Sequence, residues 1–188
     1  MISLGIDIGT SAVKAVLVDD GGGGLGEASS PVPVRQPRPG WSEQDPDDWW
    51  RATGIAVAAL REAAPAPFAS IASVGLSGQM HGAVVLDDAD RPLRPAILWN
   101  DGRAAAECAE LEALLPDLPR IAGVKAMPGF TAPKLLWLRR HEPEVFGRIA
   151  RVLLAKDYVR LKLAGTFATD MTDAAGTLLL DEAARDWS

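Results

Sequence analysis

Cysteine is almost missing from this sequence: Cys108 is the only one. No disulfide can form within the chain, which points to the reducing cytosol as its compartment. There are two histidines, His81 and His141, and no cluster of Cys and His at metal-ligand spacing, so a structural zinc site is not expected. No run of Lys and Arg occurs, and the 19 basic residues are outnumbered by 25 acidic ones, for a net charge of −6. Nucleic-acid backbones need local positive charge, so they are excluded as partners. Apolar runs such as Ile55 to Leu60 break off well short of the ~18 residues that a membrane span needs. The opening Met1-Ile2-Ser3-Leu4 lacks the basic start of a signal peptide. What remains is a chain of 188 residues, 48% hydrophobic and 23% charged. That composition suits one soluble globular domain with a core of useful size.

The pattern of residues predicts mixed α and β structure. Ile2 to Ile8 and Val13 to Val18 read as a hairpin turning at Gly9-Thr10-Ser11, and a third strand is expected near Leu25 to Val34. Four prolines between Pro31 and Pro39 make an extended connector. Asp45-Pro46-Asp47-Asp48 then opens a helix running to about Ala64, with a capping carboxylate, proline at the first position and acidic residues at the positive end of the dipole. Ser70 to Leu76 reads as a strand, Ser77 to Gly82 as a loop, and Ala83 to Leu86 as the strand returning from that loop. Ile97 to Trp99 is a short buried strand, after which Asn100-Asp101 caps a helix over Arg103 to Leu115. Helices are also expected at Ala132 to Arg140, Pro143 to Arg148 and Lys156 to Ala164, with a strand at Val152 to Leu154. Thr169 to Leu180 ends in another strand, and Glu182 to Trp187 reads as the start of an element that the chain does not finish.

Four segments carry residues suited to chemistry. In Asp7-Ile8-Gly9-Thr10-Ser11-Ala12-Val13-Lys14 a glycine, two hydroxyls and a lysine can cradle a phosphate, and Asp7 can meet a magnesium ion. An ordinary Gly-Thr turn explains the same residues. In Ser77-Gly78-Gln79-Met80-His81-Gly82, Gln79 and His81 offer hydrogen bonds to hydroxyls and Met80 an adaptable apolar wall, though His81 also fits a satisfied loop histidine. Trp99-Asn100-Asp101-Gly102-Arg103 sets an aromatic face beside polar groups, as a sugar requires, or simply a buried Trp before a helix. Lys134, in Gly129 to Trp137, suits either an anion or a solvated helix face. Trp41, Trp49, Trp50 and Trp137 read as packing residues, and Asp170, Thr172, Asp173 and Thr177 as a polar strip or a set of turns.

Taken together, these motifs resemble the FGGY family of carbohydrate kinases. Asp7 to Ser11 with Lys14 looks like the family's phosphate hairpin. Trp41 to Pro46 with Trp49-Trp50, Gly78-Gln79-Met80-His81-Gly82, Arg94 to Arg103 and Pro128 to Trp137 follow in the family's order. Gly129 to His141 is similar to its N-terminal signature, and Lys156-Asp157-Tyr158, Asp173 to Thr177 and Asp186-Trp187-Ser188 continue the match to the end.

The resemblance implies an actin-like, ribonuclease-H-like α/β domain with a mixed sheet and flanking helices, incomplete here because the second domain of the family is absent. It implies ATP and Mg2+ as cofactors, with Asp7, Gly9, Thr10, Ser11 and Lys14 on the phosphate side and Asp7 as metal ligand. Gln79, Met80, His81, Trp99 and Asp101 are implied on the sugar side. Gln-Met-His-Gly stands where members acting on glycerol carry an Arg-Glu pair, which favours D-xylulose as substrate and D-xylulose 5-phosphate as product. Ribulose, gluconate and glycerol are the alternatives within the family. A sugar-binding module without catalysis, or a self-associating fragment, is the alternative outside it. The family often forms dimers, so a homodimer is allowed. The carboxylate base of the family lies in a Gly-Gly-Gly-Asp-Asn-type segment that this sequence does not contain, so the expectation is a chain that has no catalytic base and is inactive alone.

Overall fold

A computed structural model describes residues 1–188. The chain begins with three antiparallel strands, β1 (Ile2–Ile8), β2 (Ala12–Asp19) and β3 (Gly24–Pro31). Their apolar residues alternate, so Leu4, Ile6, Ile8, Val13, Ala15 and Leu17 all point to one face and are buried there. A two-residue strand β4 (Glu43–Gln44) precedes the long helix α1 (Pro46–Ala63), which starts as the sequence predicts: Asp45 accepts a hydrogen bond from the Asp47 amide at 3.0 Å. Helix α1 lays Trp49, Ala52, Ala56 and Leu60 on the buried face of the sheet. It leads through the short α2 (Pro65–Phe68) to β5 (Ile71–Gly78), which pairs with β1 in parallel, completing a sheet of order β3-β2-β1-β5.

The remaining elements add Val84, Leu86, Ala96 and Leu153 to the same core. They are β6 (Val84–Leu86), β7 (Ala96–Ile97), α3 (Ala105–Leu114), α4 (Leu118–Ile121), α5 (Thr131–His141), α6 (Pro143–Phe146), β8 (Arg151–Leu153), α7 (Ala155–Ala164), α8 (Met171–Ala175), β9 (Leu180–Asp181) and β10 (Asp186–Trp187). Helix α7 returns to the main core, where Tyr158, Val159 and Leu161 meet the α1 side of the sheet. The Tyr158 hydroxyl donates to Asp47 at 2.5 Å, tying α7 to the start of α1. Val85, Ile97, Ala104, Trp137 and Leu138 form a smaller core of their own.

Several expectations change. Strand β6 does not fold back on β5; it pairs antiparallel with β8, 67 residues further along the chain at the Val85–Val152 pair. The expected helix cap at Asp101 is not made: α3 starts after Ala104 with no side-chain cap, because the Asp101 carboxylate is committed elsewhere. Trp50, expected to pack, is 37% exposed, whereas Trp49 beside it is fully buried. The last residues close a small antiparallel hairpin, with Asp181 opposite Asp186. No helix is long and apolar enough to cross a membrane.

Candidate functional site

Strands β1 and β5 run parallel and end side by side at Ile8 and Gly78, so the segments that leave them lie together. The Gln79 amide donates to the Ile8 carbonyl at 2.8 Å, carrying the pairing one residue past the strands. Ligands of open α/β sheets bind at such strand ends.

The hairpin tip supplies one wall. The Gly9 amide donates to the Ala12 carbonyl at 3.0 Å and closes the turn. The Thr10 and Ser11 amides make no hydrogen bond within the protein. Asp7 is exposed; its Oδ1 accepts from the Ser77 hydroxyl at 2.7 Å. Lys14 lies opposite Asp7 in the strand register, but its Nζ is paired with Glu27 at 2.6 Å on an open surface.

The Thr10 side chain faces the other way, into a network. Its Oγ1 donates to Gln79 Oε1 at 3.2 Å and accepts from the Trp99 indole N–H at 3.0 Å. Gln79 Nε2 donates to Gln44 Oε1 at 2.8 Å, Trp49 Nε1 donates to the same oxygen at 3.0 Å, and Gln44 Nε2 returns to the Thr10 carbonyl at 2.7 Å. The hydroxyl proton of Thr10 is therefore used by Gln79, and one of the two N–H groups of the buried Gln79 amide by Gln44. These two expected ligands lock the hairpin tip to the β5 loop.

The other wall is formed by Met80, His81 and Trp99. Met80 is 52% exposed and Trp99 46%. His81 has a left-handed backbone, φ 61°, with its ring against Phe130 at 4.5 Å between centroids and its Nδ1 at 3.0 Å from the Gly176 carbonyl. Burial holds the imidazole below its ordinary pKa and the nearby Lys134 adds to this, against the Gly176 hydrogen bond and the charge of Asp173. An apolar side chain, an aromatic face and a neutral imidazole are what a polyhydroxylated molecule needs on one side.

Asp101 is not in that wall. Its carboxylate is fully buried, accepts the Ser42 amide at 2.6 Å and forms two-point contacts with Arg103 at 2.8 and 2.9 Å. Arg103 also meets Glu43 at 2.7 Å and stacks 3.6 Å over Trp41. This buried ion network braces the loop behind Trp99, and it is where Asp101, expected on the sugar side, lies. Lys134 is likewise neither solvated nor open to an anion: it is fully buried and donates to the carbonyls of His81 and Gly129, at 2.7 and 2.5 Å. Burial pushes its amine down to about 7, with Asp101 opposing and Arg103 adding to the shift.

The polar strip near the end also has a structural use. Asp170 caps α8, while Lys156 joins Asp157, Asp170 and Asp173 at 2.9, 3.0 and 2.7 Å. Burial works against the Lys156 charge, but the bonds to Asp173 and Asp157 outweigh it and raise its pKa. This cluster anchors α8, the element that carries Gly176 up to His81. Gln44 and Gly176 are members of the site that the sequence reading does not single out, and Lys134 is one whose burial it does not foresee. For Lys134 a signal existed, because Thr131, Lys134 and Leu138 fall on one helix stripe with Trp137 beside it.

A polar hairpin tip bonded to Gln79 and Trp99 at the ends of parallel strands, beside Met80 and His81, is the candidate site of this α/β domain. Residues 2–188 match the N-terminal domain of the FGGY family of carbohydrate kinases. The chain belongs to that family, and its fold is the family's actin-like ATPase fold. It is 54% identical over 185 residues to a xylulose kinase of Escherichia coli, covering 98% of this chain and 38% of the relative. Among solved structures, it superposes on the "xyloylose kinase" of Brucella ovis with a TM-score of 0.98 at 53% identity, covering 100% of this chain and 39% of that one. It also superposes on a gluconate kinase of Lactobacillus acidophilus with a TM-score of 0.92 at 30% identity, covering 100% and 38%. The chain thus spans about 38% of the length of the curated relatives that it matches.

Proposed function

We propose that this chain supplies the phosphate hairpin and the sugar wall of a kinase that phosphorylates D-xylulose with ATP, giving D-xylulose 5-phosphate. The observation that carries the reading is the Thr10 hydroxyl, bonded at once to Gln79 and to Trp99, which fixes the hairpin tip directly against the loop bearing Met80 and His81. Phosphoryl transfer asks a protein mainly to position two substrates and to balance charge, and this lock holds both sides of the site in one frame. The named relatives support the sugar: the E. coli protein is a xylulose kinase.

On the phosphate side, the free amides of Thr10 and Ser11 bind oxygen and Asp7 faces the same opening. No group of three or more His, Cys, Asp or Glu residues able to hold a metal occurs in the chain. A lone exposed carboxylate fits Mg2+, which keeps its waters and takes its other ligands from phosphate, so Asp7 is the residue that would hold it. The ion would supply charge neutralisation at the phosphates. On the sugar side, Trp99 and Met80 pack against carbons while His81 orients a hydroxyl. The base that takes the hydroxyl proton is proposed to come from the part of the protein that the relatives have beyond this domain.

The test is a coupled assay of ADP release with D-xylulose, run on this chain and on the protein carried to the full length of its relatives. Turnover by the longer form alone is the expected result. Turnover by the 188-residue chain contradicts the assignment of the base, and sugar binding without turnover in either form favours a binding module instead.

A further inference from the structure

Lys134 stands in the first turn of α5, where a cation opposes the helix dipole, and it is fully buried with no carboxylate within salt-bridge distance. Burying an amine in this way is costly, and a methionine or leucine would fill the same space without that cost. Violations of this kind concentrate at functional sites. The two acceptors of the amine explain its presence. One is the carbonyl of His81, which the left-handed backbone turns inward and which also accepts from Thr131 Oγ1 at 3.3 Å. The other is the carbonyl of Gly129, a residue packed so tightly on the Trp99 backbone that an added Cβ would lie 2.2 Å from the Trp99 carbonyl oxygen.

We propose that Lys134 is a positioning residue for the sugar wall: by clamping the carbonyls of His81 and Gly129 together, it sets the His81 imidazole and the Trp99 indole in the places from which they meet the substrate. This rests on the kinase reading given above. Either protonation state of the amine carries the two N–H donors that the clamp uses.

The clamp has a chemical consequence at the ring. The Gly176 carbonyl can only accept, so Nδ1 carries the proton in the bond between them, and the neutral ring then presents Nε2 as an acceptor. Nε2 has no hydrogen bond within the protein, which leaves it for a substrate hydroxyl. The charged or titratable groups facing the ring are Lys134 of α5 and Asp173 of α8. Gly176 is part of the same device, because a Cβ there would lie 2.2 Å from Nδ1 and would push the ring off its place.

The experiment uses the protein at the full length of its relatives, with Lys134→Met, Gly176→Ala, His81→Ala and the double variant His81→Ala/Lys134→Met. Lys134→Met and Gly176→Ala are each expected to raise the KM for D-xylulose at least tenfold while the KM for ATP stays within twofold. Lys134→Met in the His81→Ala background is expected to add less than a third of its effect in the wild type. An unchanged D-xylulose KM in both single variants, or full multiplication of the two effects, overturns the proposal. Nitrogen-15 NMR of the imidazole, assigned by its loss in His81→Ala, reads the tautomer without any sugar. The Nδ1–H form is expected in the wild type and a mixture in Lys134→Met, and in Gly176→Ala should Lys134→Met fail to fold. A wild type that phosphorylates no sugar defeats the kinase reading, while an imidazole unaffected by both substitutions defeats the clamp.

Discussion

Replacing Asp101 by Asn separates a brace from a ligand. In the wild type both carboxylate oxygens are buried, one receiving the Ser42 amide and both receiving Arg103. The isosteric amide keeps one acceptor for Ser42 but turns its NH2 toward Arg103, leaving that guanidinium with Glu43 as its only anionic partner. Breaking a buried ion pair by removing one charge costs about 3–5 kcal/mol, and the retained Glu43 contact argues for the lower end, about 3 kcal/mol. For a domain of this size, each kcal/mol moves Tm by about 2–4 °C, so a fall of roughly 6–12 °C is expected in thermal unfolding followed by circular dichroism. In the full-length protein, assayed well below that Tm, the KM for D-xylulose should stay within threefold. A Tm within 2 °C of the wild type together with a tenfold loss of sugar affinity would refute the reasoning and return Asp101 to the sugar wall.

Three further outcomes follow from the geometry. Asp45→Ala removes the cap of α1 and should lower stability by about 1 kcal/mol in urea unfolding, with no change in the slope. Leu60→Ala empties a fully buried position between α1 and the sheet, and should cost about 2–5 kcal/mol in the same measurement. Lys134 gives a pH signature: its amine is held near 7 in the folded chain and titrates near 10.5 when unfolded, so between those values the unfolded state binds the extra proton and folding stability rises with pH. The gain is at most roughly 5 kcal/mol across that window. Set against Lys134→Met, which cannot titrate, the wild type should lose relative stability as pH falls from 10 to 7, and parallel curves for the two proteins would contradict the assignment.

The first hairpin and α1 were legible because local rules decide them. Leu4, Ile6 and Ile8 alternate with Ser3, Gly5 and Asp7, and Asp45-Pro46 announces a helix start in four residues. The pairing of β6 was not legible, since its partner β8 is brought to it by α3 to α6 and no periodicity in Val84 to Leu86 names that partner. The same limit acts on the site. Met80, His81 and Trp99 could be chosen as wall residues by type, and the structure leaves Met80 and Trp99 substantially exposed. Asp101, Thr10 and Gln79 have equally suitable side chains, yet each is engaged elsewhere in the chain: by Ser42 and Arg103 for the first, and with Gln44 in the network joining the other two. Whether a polar group is free or spent depends on such partners, which residue type does not reveal. Lys134 shows the reverse, a charge that reads as surface but lies on the buried stripe of its helix.

The most direct test of the central claim is the specificity of the full-length protein, measured as kcat/KM with ATP for D-xylulose, D-ribulose, gluconate and glycerol side by side. D-xylulose is expected ahead of each of the others. A preference for gluconate or glycerol, or phosphorylation of none of the four, would contradict the account.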